Sequence, residues 1–261
     1  MSLLSWIIIF CLIGGVLSVL AASTFLMLSE SLRKRLLPHM VSYAIGALLG
    51  AAFLALLPHA LGHSAIDDLH DVTLTVLVGI LAFFLLEKMV LWRHCHAHDC
   101  EVHGEEDHHH AHGSARGTMI MIGDGMHNLV DGVLIAAAFL TDVHLGIVTS
   151  IAVATHEIPQ ELGDFSILLH SGYSRGKALL MNVAASLTTV IGGVAAYYSL
   201  QGAEQVVPYV LAVAAASFIY IAVADLIPGL HHRTEARVTA QQMLLIAAGV
   251  VTIFLAHSTL H

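Results

Sequence analysis

One stretch of this chain combines an apolar run with residues that apolar runs rarely contain. It reads LGIVTSIAVATHEIPQELGDFSILL, from Leu145 to Leu169. Its flanks have the composition of a membrane-spanning helix, whereas its centre holds a histidine, three carboxylates, a glutamine and a proline. Ionisable side chains inside a membrane span are costly, and they mark sites for ions or substrates. The stretch therefore predicts a membrane protein with a functional site inside the bilayer.

The composition of the whole chain supports this interpretation. Of the 261 residues, 57% are hydrophobic and 11% are charged, whereas soluble domains average about 25% charged residues. A soluble domain of this length has no means of burying so much apolar surface. The net charge of -9 excludes the overall basic character expected of a nucleic-acid-binding protein. Three cysteines are too few for a disulfide framework.

Eight apolar windows are long enough to cross a bilayer, which takes about 20 residues of helix. They lie at 4–28, 39–60, 72–92, 118–140, 144–169, 177–199, 206–228 and 240–259. The first resembles a signal peptide but lacks a basic n-region, so we expect it to remain as a span. The predicted fold class is an all-α integral membrane protein with eight transmembrane helices in one domain, residues 1–261.

The basic residues predict the orientation of these spans. All ten Lys and Arg residues fall in connections, or at span ends, that lie on one side of the predicted membrane. Positive residues accumulate in cytoplasmic loops. Both termini are therefore predicted to lie outside the cell, and the short loops favour a bacterial inner membrane.

The second and seventh windows share a pattern of prolines. Pro38 and Pro58 bracket the second window, and Pro208 and Pro228 bracket the seventh at the same spacing, with a histidine following each pair. Because the two spans run in opposite directions, the pattern predicts an inverted repeat of spans 1–3 and 6–8 around central spans 4–5. Chance similarity of two apolar helices with terminal prolines is the alternative.

The fourth window also carries polar residues at helical spacing. Asp124, His127 and Asp131 follow one another at i, i+3 and i+7, which places them on one face of a helix. Asn128 sits beside that face. In the fifth window His156 and Gln160 share a face, and the adjoining face carries Glu157, Glu161 and Asp164.

These two windows contain several acids but no Lys or Arg to pair with them. A metal ion is the best source of the missing positive charge, and imidazole with carboxylate and amide oxygens suits zinc, iron(II) or manganese. Pro159 frees the carbonyl of Thr155 as a further ligand or a hinge. The alternatives are a buried polar network, or protonated acids that relay protons.

Two motifs carry a family resemblance. HNLVDG (127–132) and HEIPQELGDF (156–165) resemble the paired signatures of the ZIP (Zrt/Irt-like) metal transporters. They are most similar to the subfamily in which span 5 reads H-E-x-P-H-E-x-G-D. The resemblance implies a binuclear site between spans 4 and 5, with a main site formed by His127, Asp131 and His156.

The resemblance has further implications. Asn128 and Glu157 would contribute to the second metal site, with Asp131 placed to bridge. The family pattern implies uptake of divalent cations, zinc above all but also iron(II), manganese or cadmium, as substrates rather than cofactors. It also implies movement of one helix bundle against another, and a homodimer. Gln160 departs from the subfamily histidine, which leaves open both the second metal and the preference for zinc.

Residues outside these windows add weaker candidates. The tract HCHAHDCEVHGEEDHHHAHG (94–113), within a predicted cytoplasmic loop at 94–117, has eight histidines and two cysteines. Such a tract is typical of a metal acceptor or sensor, or it is a solvated linker. Further candidate ligands lie at the outer end of span 2, in span 6 and at the inner end of span 7: His59, Asn182 and Asp225.

Two other functions remain open at this stage. HEIPQ differs by one residue from the H-E-x-x-H motif of zinc hydrolases. An intramembrane zinc-dependent hydrolase is therefore the alternative, although Gln160 replaces the second histidine and Pro159 interrupts the helix. A metal sensor or receptor without transport is a third interpretation, which the histidine-rich tract permits.

Overall fold

The computed structural model describes residues 1–96, 109–231 and 235–260, and this part of the chain is helical. Its long helices are, in chain order, α1 (Leu3–Phe25), α2 (Glu30–Leu61), α3 (Leu69–His96), α4 (His109–Thr141), α5 (Val143–His170), α6 (Arg175–Leu200), α7 (Val207–Leu230) and α8 (Ala236–Leu260). The predicted all-α class is confirmed.

Seven of these helices are long and apolar enough to cross a membrane, and α5 is not among them. The reason lies in its sequence, because His156, Glu157 and Gln160 lower the apolar character of its central turns. A span count of eight therefore stays a prediction. So do the external termini, which depend on that count.

The helices also extend beyond the apolar windows. α3 continues to His96 and α4 begins at His109, so both enter the predicted histidine-rich loop at 94–117. Hydropathy identifies only the residues that are apolar enough for the bilayer. The helical hydrogen bonds of the backbone continue into the polar residues beyond them, so the helices are longer than the windows. The rest of the tract, residues 97–108, lies outside the described residues.

A single residue separates α4 from α5. Asp142 caps α5, and its Oδ1 atom accepts hydrogen bonds from the backbone N–H groups of His144 at 2.8 Å and Leu145 at 3.1 Å. A short polar side chain at this position satisfies backbone donors that have no partner inside the helix. The tight connection makes α4 and α5 an antiparallel hairpin.

Glycines bring α4 and α6 into backbone contact. A Cβ atom on Gly132 would lie 1.9 Å from the carbonyl oxygen of Thr189, and one on Gly192 would lie 2.0 Å from that of Leu129. No side chain larger than hydrogen fits at these distances. Small residues allow this kind of close packing between membrane helices, and here they fix α6 against the polar face of α4.

Close glycine contacts also join α2 to α8. A Cβ atom on Gly46 would lie 2.0 Å from the carbonyl oxygen of Ile246, and one on Gly249 would lie 2.3 Å from that of Tyr43. The phenol group of Tyr43 also donates a hydrogen bond to Thr252 Oγ1 at 2.9 Å. α2 and α8 therefore pack as a rigid pair.

α2 and α7 change to π-helical geometry for six residues, at Ala51–Leu56 and Ile221–Leu226. Each π segment begins seven residues before a proline, Pro58 in α2 and Pro228 in α7. π segments are rare and occur frequently near functional sites. The proline pattern of the sequence thus coincides with a matching backbone irregularity, while the inverted repeat itself stays a prediction.

Candidate metal centre

Four polar side chains of α4 and α5 converge at one place. His127, Asp131, His156 and Glu157 each present a nitrogen or oxygen atom, and these atoms all lie within 4.8 Å of one another. Asp131, His156 and Glu157 are buried, whereas 23% of the His127 side chain remains exposed. The hairpin produces this convergence, because His127 lies fifteen residues before Asp142 and Glu157 fifteen residues after it.

Five of the six distances between ligand atoms in this four-residue cluster lie within about 0.2 Å of those in a tetrahedral metal site. The Nε2 atom of His127 lies 3.3 Å from Nε2 of His156 and 3.4 Å from Oε1 of Glu157. Nε2 of His156 lies 3.3 Å from Oδ2 of Asp131, and the two remaining imidazole–carboxylate distances are 3.7 and 3.8 Å. Zinc–ligand bonds of about 2.0–2.2 Å place tetrahedral ligands about 3.3–3.6 Å apart. The cluster can therefore hold an ion such as zinc with little rearrangement.

The ring of His156 is oriented by its backbone. Its Nδ1 atom lies 3.0 Å from the carbonyl oxygen of Ala152, so Nδ1–H donates there and the neutral ring presents the Nε2 lone pair to the cluster. Histidines that ligate metals commonly donate their other N–H group in this way. The ring of Phe218 packs 6.1 Å away and further limits its motion.

Asn128 faces the neighbouring acid rather than the four-residue cluster. Its Nδ2 atom donates to Oδ1 of Asp124 at 2.9 Å, and its Oδ1 atom accepts a hydrogen bond from Thr189 Oγ1 at 2.8 Å. The resemblance implied a direct metal ligand, whereas in this conformation the amide orients Asp124. Thr189 is not among the residues predicted from the sequence, although its position one turn before the Gly192–Gly193 pair is a signal for close packing onto α4.

Most carboxylate oxygens buried on α4 and α5 have no hydrogen-bond donor among the described residues. They are both oxygens of Asp131, Glu157 and Glu161, and Oδ2 of Asp124. A buried charge is tolerated when it is paired or when it coordinates a metal. Acids in this arrangement can hold cations that enter from outside the chain.

Three other predicted ligands lie on α5 and α6. Gln160 is half-buried one turn after His156, and α5 stays helical across Pro159. Asp164 is half-buried further along α5, and Asn182 of α6 is buried with its Oδ1 atom lacking a hydrogen-bond partner among the described residues. None of them belongs to the four-residue cluster.

Two further candidates lie on α2 and α7. His59 of α2 lies against His257 of α8, with ring centroids 5.4 Å apart. Asp225 lies in the π segment of α7 and interacts electrostatically with Glu87 of α3 and with His127 and His156 of the four-residue cluster. Glu87 also accepts a hydrogen bond from the hydroxyl of Tyr220. This contact was not predicted from the sequence. The available signal was Glu87 itself, an acid at the end of the apolar run of α3.

A family model and several known proteins are similar to this chain. A family model described as ZIP Zinc transporter matches residues 91–257. Zinc transporter ZIP13 of Pongo abelii is 31% identical over 231 residues, which cover 84% of this chain and 66% of that protein. Zinc transporter ZIP13 of Gallus gallus is 28% identical over 274 residues, 86% of this chain and 75% of that protein. Zinc transporter ZIP4 of Homo sapiens is 43% identical over 112 residues, 43% of this chain and 17% of that protein.

Proposed function

The chain belongs to the ZIP zinc transporter family, and from this premise we propose that it carries divalent metal ions across a membrane. The four-residue cluster of His127, Asp131, His156 and Glu157 is the observation that carries the proposal. Two imidazoles and two carboxylates favour zinc, while iron(II), manganese and cadmium are further substrates. The relatives named ZIP13 and ZIP4 are zinc transporters by their names, which supports the same substrate.

We propose import into the cytoplasm as the direction of transport. The support is the sidedness of the Lys and Arg residues, which places the α3–α4 connection and its histidine-rich tract in the cytoplasm. Ions that leave the cluster on that side would meet a tract of metal-binding residues. A bacterial inner membrane is the location that suits the short loops.

Movement of the cluster between the two sides of the membrane requires a rigid body that carries it. Glycine contacts join α4 to α6, and a Cβ atom on Gly15 of α1 would lie 2.7 Å from the carbonyl oxygen of Ser186 in α6. On the other side, a Cβ atom on Gly79 of α3 would lie 2.7 Å from the Cβ atom of Ala216 in α7. α1, α4, α5 and α6 therefore form one candidate bundle, and α2, α3, α7 and α8 the other.

The hydrolase alternative receives no support. The family consists of transporters and not of enzymes, and the second histidine of an H-E-x-x-H motif is Gln160 in this chain. The second imidazole of the cluster comes instead from α4, as His127. Ligands divided between two helices suit an ion that has to be bound and released.

Uptake into proteoliposomes tests the proposed function. The purified protein is reconstituted, and uptake is compared for zinc, iron(II), manganese and cadmium. Replacement Asp131→Ala removes a buried carboxylate ligand, and we expect saturable zinc uptake to fall at least about tenfold. Glu204→Gln, which neutralises an exposed acid between α6 and α7, is the matched control. Near-normal uptake by the Asp131 variant would show that the cluster is not on the transport path.

A further inference from the structure

Two histidines meet where α2 and α8 end, apart from the four-residue cluster. The rings of His59 and His257 lie at 75° to each other, with their centroids 5.4 Å apart. The glycine contacts at Gly46 and Gly249 join the same two helices, so both rings are presented by one rigid helix pair. We name His59 and His257 the terminal histidine pair, and the proposed function gives this pair no role.

The terminal histidine pair repeats the arrangement of the two histidines in the four-residue cluster. The rings of His127 and His156 lie at 90° to each other with centroids 5.5 Å apart, and their Nε2 atoms are separated by 3.3 Å. His156 donates Nδ1–H to the carbonyl oxygen four residues earlier. His59 does the same, with its Nδ1 atom 2.8 Å from the carbonyl oxygen of Ala55. The neutral His59 ring therefore carries its lone pair on Nε2, as a metal-binding histidine oriented by its backbone does.

The two histidine pairs lie at different depths in the molecule. His59 lies two residues before the end of α2, and His257 three residues before the end of α8. His156 lies thirteen residues after the start of α5, which corresponds to about 20 Å of helix. α3 follows α2 and runs towards the histidine-rich tract. The terminal histidine pair therefore lies at the opposite end of the molecule from that tract and away from the four-residue cluster.

The charges at this end of the molecule favour cations. Asp67, Asp68 and Asp71 are exposed between the end of α2 and the first turn of α3, whereas the Lys and Arg residues of the described chain lie towards the opposite end. An acidic surface raises the local concentration of cations. Both rings of the terminal histidine pair are half-buried, so water can reach them and occupy the remaining positions of a four-coordinate ion.

We propose that His59 and His257 bind one zinc ion between α2 and α8, with water in the remaining coordination positions. Imidazole suits zinc, and a site without a carboxylate disfavours harder cations such as manganese(II). α2 and α8 belong to the same candidate bundle, so an ion held by both helices does not have to be released when the two bundles move. This static role rests on the proposed function, whereas the site itself rests on the geometry of the pair.

Zinc counting on the purified full chain tests the site without transport. Equilibrium dialysis measures the zinc bound per chain in the wild type, in His59→Ala, in His257→Ala and in the double variant. We expect each single variant to bind one zinc fewer than the wild type, and the double variant to lose the same ion and no more. Zinc held by the four-residue cluster and by the histidine-rich tract cancels, because every variant retains both. The two substitutions lie on different helices, so either one decides the matter if the other variant fails to fold.

His170→Ala is the matched control. His170, at the end of α5, also donates Nδ1–H to the carbonyl oxygen four residues earlier, that of Ser166 at 2.7 Å. Within the described part of the chain no second imidazole ring packs against it, so its zinc count should equal that of the wild type. Manganese counts should be equal in all of these proteins.

Three results would overturn the site. The first is an unchanged zinc count in both His59→Ala and His257→Ala. The second is the loss of two ions from the double variant, since the histidines would then bind zinc separately. The third is an equal zinc loss in His170→Ala, because any imidazole at a helix end would then account for the counts. Failure of zinc uptake with all zinc counts as expected would overturn the proposed function and leave the site in place.

Discussion

His127 and Glu157 stand at the same height on two antiparallel helices, with Nε2 and Oε1 3.4 Å apart. The relation follows from the one-residue connection at Asp142, which lies fifteen residues from each of them. A longer connection would allow α4 and α5 to slide against each other, and ligands one turn out of register would be about 5 Å apart along the helix axis. The capped turn therefore sets the geometry of the four-residue cluster from the far end of the hairpin.

We expect loss of the hydrogen bond from Thr189 to Asn128 to lower metal affinity, although no ligand of the four-residue cluster is removed. Thr189→Val removes the hydroxyl that holds Oδ1 of Asn128. Asn128 directly follows His127, so this hydrogen bond anchors the turn of α4 that presents the His127 ring. Residues that orient ligands typically change metal affinity about 10–100-fold when replaced, so we expect the apparent affinity for zinc to fall about tenfold. The measurement is zinc uptake against concentration, together with zinc binding to purified protein.

Thr188→Val is the matched control for that variant. The Thr188 hydroxyl donates to the carbonyl oxygens of Gly125 and Ala185, each at 2.6 Å, and it does not contact Asn128. We expect its zinc affinity to match that of the wild type. Equal losses in the two variants would mean that the hydroxyls act through helix packing and not through Asn128.

We expect the Gln160→His variant to change metal selectivity. Because α5 stays helical across Pro159, residue 160 shares the face of His156. A third imidazole favours zinc over manganese and slows release of the bound ion. We expect higher apparent affinity for zinc, lower maximal flux, and a shift in competitive uptake away from manganese. An unchanged zinc-to-manganese ratio with unchanged kinetics would place Gln160 outside the coordination sphere.

The backbone contact at Gly132 predicts a strong effect on stability. In Gly132→Ala the new methyl group would lie 1.9 Å from the carbonyl oxygen of Thr189, so α4 and α6 have to separate. Overpacking of this kind costs about 1–3 kcal/mol or more, and we expect a lower midpoint of thermal unfolding in detergent. Gly163→Ala is the control, because open space surrounds that position. Alanine there should leave the midpoint unchanged or raise it, since it favours the helix by about 1 kcal/mol.

We expect replacement of residues 97–108 to change the regulation of zinc uptake without abolishing it. A glycine–serine linker of the same length keeps the connection between α3 and α4 and removes three of the eight histidines, one of the two cysteines and all five acids of the tract. We expect measurable zinc uptake with altered apparent affinity, because the tract lies outside the helices that hold the metal site. Complete loss of uptake by a folded variant would make the tract part of the obligatory path.

The sequence alone predicted the all-α fold class and singled out the four residues that the structure brings together. Apolar windows predicted the helices, because a membrane helix must present some twenty apolar residues to lipid. The spacing of His127 and Asp131, and that of His156 and Gln160, follows directly from helical periodicity. The absence of Lys and Arg from these spans predicted a metal ion as the counter-charge. Each inference depends on properties within one helix.

Only the tertiary structure determined which polar residues meet across helices. Periodicity places Asn128 near a ligand face, but the packing of α6 decides that its amide holds Asp124 and is held by Thr189. Glu161, which the sequence had joined to Glu157 on one face, does not belong to the four-residue cluster. His59 lies against His257 of α8, whereas Asp225 of α7 interacts electrostatically with His127 and His156. Distances between helices depend on turn length and on close glycine contacts. The residue pattern along one helix contains no information about these distances.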